Sequence, residues 1–119
     1  MRRSDFRDLQ IWVKSKSLCV ELYKVTGNFP EHERYGITSQ IRRASVSVPS
    51  NIAEGHGRSS DADFVRFLYM SYGSIKELET LIEISVDLGF LKTDTDLLAK
   101  LNEISKMVGS LISSLKADS

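Results

Sequence analysis

Leu97, Leu101, Ile104, Val108, Leu111 and Leu115 are spaced alternately by four and three residues. That spacing lines six apolar side chains along one side of an α-helix, whereas a strand would scatter them over both faces. Such a seam finds its partner in other helices, as in coiled coils and bundles. The constraint extends along the chain, because three earlier stretches repeat the helical period and the turns between them carry suitable breakers.

The first helix is expected at about Asp8 to Thr26. Leu9, Trp12, Val13, Cys19, Val20 and Tyr23 form one broad apolar stripe, and Ile11, Leu18, Leu22 and Val25 form another, which predicts a helix buried on two faces. Gly27-Asn28-Phe29-Pro30 breaks the chain, and a second helix is expected from Glu31 or Glu33 to Glu54, with an acidic first turn that suits the helix dipole. A third runs from Ser60, where Ser60 and Asp63 approximate a capping box, to Leu88, and Gly89 ends it. Phe64, Leu68, Ile75, Leu78 and Ile82 mark its core stripe, and Ser71, Gly73 and Ser74 are expected to let a neighbouring helix approach closely. The fourth begins between Thr93 and Asp96 and continues to Leu115. Short connections make consecutive helices antiparallel neighbours, so the expected fold is all-α, an antiparallel up-down-up-down four-helix bundle in one domain over residues 1–119.

The segment Ser39 to Arg58, SQIRRASVSVPSNIAEGHGR, carries the most individual pattern. Ile37, Ile41, Ala44 and Val48 lie on one helical face, and Arg42 and Arg43 lie on others. Pro49 lacks a backbone N–H and its ring crowds the carbonyl of Ser45, at a cost of roughly 3 kcal/mol in a straight helix, which predicts a kink between Ser45 and Pro49. Gly55 is expected to end the helix in a left-handed conformation. Residues Gln40 to Gly55 fit the pattern Q-[LI]-R-R-A-x-x-S-[IV]-P-x-N-I-A-E-G throughout. In this the chain resembles the four-helix bundle proteins encoded in intervening sequences of bacterial 23S rRNA genes. The resemblance extends upstream to Phe6-Arg7-Asp8-Leu9, Trp12, Phe29-Pro30 and Tyr35-Gly36, and downstream to Gly73-Ser74, Glu77-Leu78 and Gly89-Phe90-Leu91. It singles out Gln40, Pro49, Asn51, Glu54, Gly55, Ser74 and Glu77 as structural motif positions. It also implies a ring-shaped homopentamer, and more loosely a nucleic-acid role like that of the accessory variability proteins of diversity-generating retroelements.

Sixteen Lys/Arg and sixteen Asp/Glu cancel, which argues against the strong general attraction to phosphate of a nucleic-acid coat protein. The distribution is slightly uneven. Residues 1–66 hold eleven basic and eight acidic side chains, against five and eight in residues 67–119, a difference that solvated faces and interhelical ion pairs can absorb. No apolar run approaches the 18 or so residues of a membrane span, and MRRSDFRDLQIW does not continue into a signal-peptide core. A cytoplasmic protein without membrane association is the expectation. Cys19, the only cysteine, falls among apolar positions and reads as a packed thiol.

Catalytic and metal chemistry find little footing. His32 and His56 are the only histidines and neither follows a Glu at the Glu-x-x-His spacing of di-iron bundles, so no metal or cofactor is expected. Glu77, Glu79 and Glu83 have no His or Lys constellation beside them, which leaves them as a solvated or ion-paired face. Gly55-His56-Gly57-Arg58-Ser59-Ser60 lacks the lysine of a phosphate loop, and no serine sits in a G-x-S-x-G turn. The chain therefore reads as non-enzymatic. Arg42, Arg43, His56, Arg58 and Arg66 are the candidate nucleic-acid contacts, able to hold phosphate of RNA or DNA through charge-assisted hydrogen bonds. The same residues fit a second account, in which Arg42 or Arg43 pairs internally with Glu54, Glu77 or Glu79 and the protein is a scaffold or protein–protein assembly module. Apolar residues in excess of one core, on the first helix and at Tyr69, Met70 and Tyr72, fit self-association or a thicker monomer core.

Overall fold

The computed structural model describes residues 4–93 and 96–118. Within them lie four helices and no strand: α1 (Gln10–Thr26), α2 (Ile37–His56), α3 (Asp61–Asp87) and α4 (Leu97–Asp118). A 3-10 turn at Phe6–Asp8 precedes α1 and another at Glu31–Glu33 precedes α2. Each helix packs on two others, α2 on α1 and α3, α4 on α3 and α1, in a body of 48 × 21 × 20 Å.

Cross-helix pairs give the directions. Cys19 meets Ser45 and Thr26 meets Arg42; Ser71 meets Val48 and Ser74 meets Ser47; Lys14 meets Glu103 and Glu21 meets Lys100. In every pair one number rises as the other falls, so α1 and α3 run antiparallel to α2, and α4 antiparallel to α1. The core between them is built from leucine, isoleucine, valine and phenylalanine of all four helices, with Leu22, Ile41, Ile52, Leu68, Ile75, Ile82 and Val108 wholly out of solvent. A void of about 10 Å³ lies between Ser15, Cys19, Ser45 and the aliphatic side chains around them, scarcely enough for one water.

Several boundaries differ from expectation for identifiable reasons. Pro30 starts a 3-10 turn rather than α2, and the backbone of Gly36, at ψ −117°, leaves the helical region, so α2 begins only at Ile37, whose N–H donates to the Glu33 carboxylate at 3.2 Å. Nor does α2 end at Gly55. It continues through that residue to His56 and is capped by Gly57 with ordinary right-handed dihedrals. The helix is also continuous across Pro49, whose missing N–H leaves Ser45 without its usual intrahelical donor.

The ends of α3 follow the sequence more closely. Ser60 accepts from the Asp63 N–H at 3.1 Å, and Gly89, at φ +82°, closes a Schellman motif in which Gly89 N–H donates to Val86 and Phe90 N–H to Ser85. In α4 the expected seam is buried through Leu97, Leu101, Ile104 and Val108, and then Ile112 rather than Leu111 takes the core position. A straight helix drifts by about 20° per heptad against a 3.5-residue repeat, which accounts for the exchange. The expected start of this helix, Thr93 to Asp96, includes residues 94 and 95, which lie outside the described residues.

α1 has one buried face, not two. Ile11, Ser15, Leu18, Leu22 and Thr26 face the core, whereas Val13, Val20 and Tyr23 of the other expected stripe are exposed. The reason is geometric: among the described residues the helices beside α1 are α2 and α4, and the Phe6–Asp8 turn touches it as well, so its far side has no helix to pack on.

Candidate nucleic-acid interface and the groove between α2 and α3

The five candidate contacts separate into three places. Arg42 is half-buried and turned toward α1: its Nε donates to Thr26 Oγ1 at 2.9 Å, its Nη2 to the Tyr23 carbonyl at 3.0 Å, and its guanidinium lies 4.9 Å from the Tyr23 ring centre. These acceptors belong to the last turn of α1, where a cation offsets the helix dipole, and the Tyr23 carbonyl accepts from the Gly27 N–H at 3.2 Å as well. Arg42 is thus a tie between two helices, held by a hydroxyl and a carbonyl instead of the expected carboxylate.

At the α2–α3 junction Arg58 pairs with Glu54 at 2.9 Å and approaches Asp63 at 3.8 Å, and Arg66 pairs with Asp63 at 2.9 Å. Both guanidinium groups lie over the Phe67 ring, at 4.7 and 4.6 Å. His56 is half-buried edge-on to Phe64, with ring centres 5.8 Å apart. The junction therefore balances two arginines with two carboxylates. Phe67 is held there because α2 presents Gly55, where an added Cβ would sit 2.6 Å from the Phe67 Cβ and 3.0 Å from Phe64 Cδ1. Close helix approach, not chain reversal, is the reason for that glycine.

Arg43 stands alone. It is exposed, its one hydrogen bond is a 3.3 Å contact with Ser39 Oγ, and it makes no ion pair among the described residues. It lines a groove of about 440 Å³ between α2 and α3 together with Gln40, Ala44, Ser47, Ser74 and Glu77. Asn51 extends the polar floor, donating to the Ser47 carbonyl at 2.9 Å and to its hydroxyl at 3.0 Å, and Ser47 is in turn bonded to Ser74 at 3.0 Å. Beneath them, Ser71 donates to the Val48 carbonyl at 2.7 Å. Glu77, one level along from Ser74, forms no ion pair among the described residues, whereas Glu79 is taken by Lys76 at 3.1 Å. Gln40, Asn51, Ser74 and Glu77 thus converge on a single groove, which sequence spacing could not reveal because it joins two helices. Gly73, expected in the close contact, faces outward instead, while Ser71 and Ser74 make it.

These positions do not form one basic surface. Thirteen residues of α2 separate Arg43 from His56 at the junction, about 20 Å at 1.5 Å per residue. Arg43, exposed where Arg42 is half-buried against α1, shares its groove with Glu77, an anion without an ion pair among the described residues, which repels phosphate. Among the described residues no group of three or more His, Cys, Asp or Glu is placed to hold a metal ion, and no helix is long and apolar enough to cross a membrane.

Comparison with known proteins covers nearly the same span as the helices. A family model described as 23S rRNA-intervening sequence protein matches residues 7–110. A crystal structure of a protein of unknown function from the S23 ribosomal protein family of Bacteroides thetaiotaomicron VPI-5482 is similar, with a TM-score of 0.77 and 25% identity over 86% of this chain and 97% of that one. Among curated proteins none matches.

Proposed function

The chain belongs to the 23S rRNA-intervening sequence protein family, and from that membership we propose that it works as a non-enzymatic, self-associating assembly module, a ring-shaped homopentamer that presents its faces to protein partners. One observation carries this reading. Val13 and Val20 on α1 stay 41% and 46% exposed, and Met70 and Ile84 on α3 46% and 42%, although the core closes without them. Apolar side chains repeated along a helix outside a completed core are what an interface between chains covers. The charge distribution agrees, because Arg42, Arg58 and Arg66 are engaged within the chain and the formal net charge is zero.

A second reading, association with RNA or DNA, is favoured by Arg43, the exposed cation at the motif's centre. Backbone-directed contacts of that kind weaken steeply with salt. Light scattering of the purified chain, with labelled structured RNA and duplex DNA titrated across a salt series in the same buffers, separates the two. Five-fold chain mass with no binding at low salt is the expected result. A monomeric mass at micromolar concentration refutes the assembly reading, and micromolar, salt-steep binding that Arg43→Ala abolishes establishes the nucleic-acid one.

A further inference from the structure

Resting on the self-assembly reading, the pattern of exposed residues specifies which surfaces meet. Val13, Ser17, Val20 and Lys24 of α1 are all exposed and spaced by four, three and four residues, so they form a single outward stripe. Arg66, Met70, Gly73 and Glu77 of α3 are exposed with identical spacing. Neither Lys24 nor Glu77 has an ion-pair partner among the described residues, and their charges are opposite. Gly73 lies mid-helix, where glycine costs about 1 kcal/mol relative to alanine. A Cβ added there meets nothing within 4 Å, so packing inside the chain gives no reason for it.

α1 and α3 do not touch in the bundle, and both run antiparallel to α2, hence in the same direction as each other. Their outward stripes lie on opposite corners. When two copies stand side by side with parallel axes, α1 of one lies alongside α3 of the next in parallel orientation. We propose that these stripes dock between copies in the register that sets Lys24 against Glu77, Val20 over Gly73 and Ser17 against Met70. A cation meets an anion, a branched side chain fills the open space at the glycine, and a small residue leaves room for a long one. Val13 then covers the aliphatic stem of Arg66, whose guanidinium is held by Asp63 at 2.9 Å. The contact joins two different surfaces, so it propagates from copy to copy and closes as a ring where the rotation permits.

Charge reversal tests the register. Lys24→Glu and Glu77→Lys each place like charges together and are expected to raise the dissociation constant of the assembly by about tenfold or more, while the double variant K24E/E77K restores it. Gly73→Ala is expected to raise the melting temperature of the isolated chain and weaken assembly, whereas Gly109→Ala, on α4 and equally open, raises the melting temperature and leaves the mass unchanged. Circular dichroism verifies that each variant remains helical. Single reversals that leave the assembled mass unaltered, or a double swap that fails to restore it, overturn this docking alone. A wild-type chain that is monomeric throughout the micromolar range overturns the self-assembly reading, and the docking with it.

Discussion

Gly55 and Gly73 are both helical glycines in motif positions, yet their surroundings demand opposite outcomes from the same substitution. At Gly55 an added methyl group meets Phe67 and Phe64 at 3.0 Å or less, so Gly55→Ala is expected to destabilise the chain by roughly 1–3 kcal/mol in urea unfolding, outweighing the helix-propensity gain. A stabilised Gly55→Ala variant would show that α3 can shift freely and that the close approach is not required. Arg42 supplies a second test at this scale, because one guanidinium serves a hydroxyl and a carbonyl of α1 simultaneously. Arg42→Lys is therefore expected to cost about 1 kcal/mol, as lysine offers a point charge without the planar fork. The identity of these residues was legible in the sequence, since Gln40 to Gly55 form a recognisable run. Their roles were less so. Whether Arg42 caps α1 and whether Gly55 reverses or packs depends on residues 16 and 12 positions away, and local spacing carries no information about either.

Helices as units were read more securely than their faces. Four periodic segments, the Ser60 cap and the Gly89 stop all follow from local rules, and the structure contains each of them. The start of α2 differs from the local expectation because a proline and two glutamates begin a 3-10 turn as readily as an α-helix. The other stripe of α1, with Val13, Val20 and Tyr23, lies outside the core, and periodicity does not foretell this because it counts apolar residues without carrying how many neighbours a helix has. Between elements, Lys100 of α4 bridges Glu21 of α1 at 2.8 Å and Asp96 of its own helix approach at 3.3 Å. The hydrogen bond to Glu21, chiefly, holds the Lys100 ammonium above its ordinary value of 10.5. A raised lysine value means that the tie is complete at neutral pH and is lost only as alkali deprotonates the folded form, above the ordinary value. Titration of the Lys100 side chain by NMR is expected to show the elevation, and Glu21→Gln to diminish it; an unchanged midpoint in that variant would mean that Glu21 is not its cause.

On the scale of the whole molecule, acidic and basic side chains cancel and are largely engaged locally, so ionic strength is expected to alter thermal stability little. A melting temperature that falls markedly between low and high salt would reveal a network that the individual ion pairs do not suggest. The neighbour relations among helices also impose an order in time. The most extensive packing joins α2 to α3, whose ends are linked by residues 57–60, whereas α1 reaches α4 through partners such as Glu21 and Lys100, 79 positions apart. Contacts between near neighbours in sequence form at little entropic cost, and distant ones must wait for the chain to close. A nascent polypeptide emerging from the ribosome can therefore settle its second and third helices together while the fourth is still being synthesised, leaving the flank that α4 will occupy open until that helix emerges.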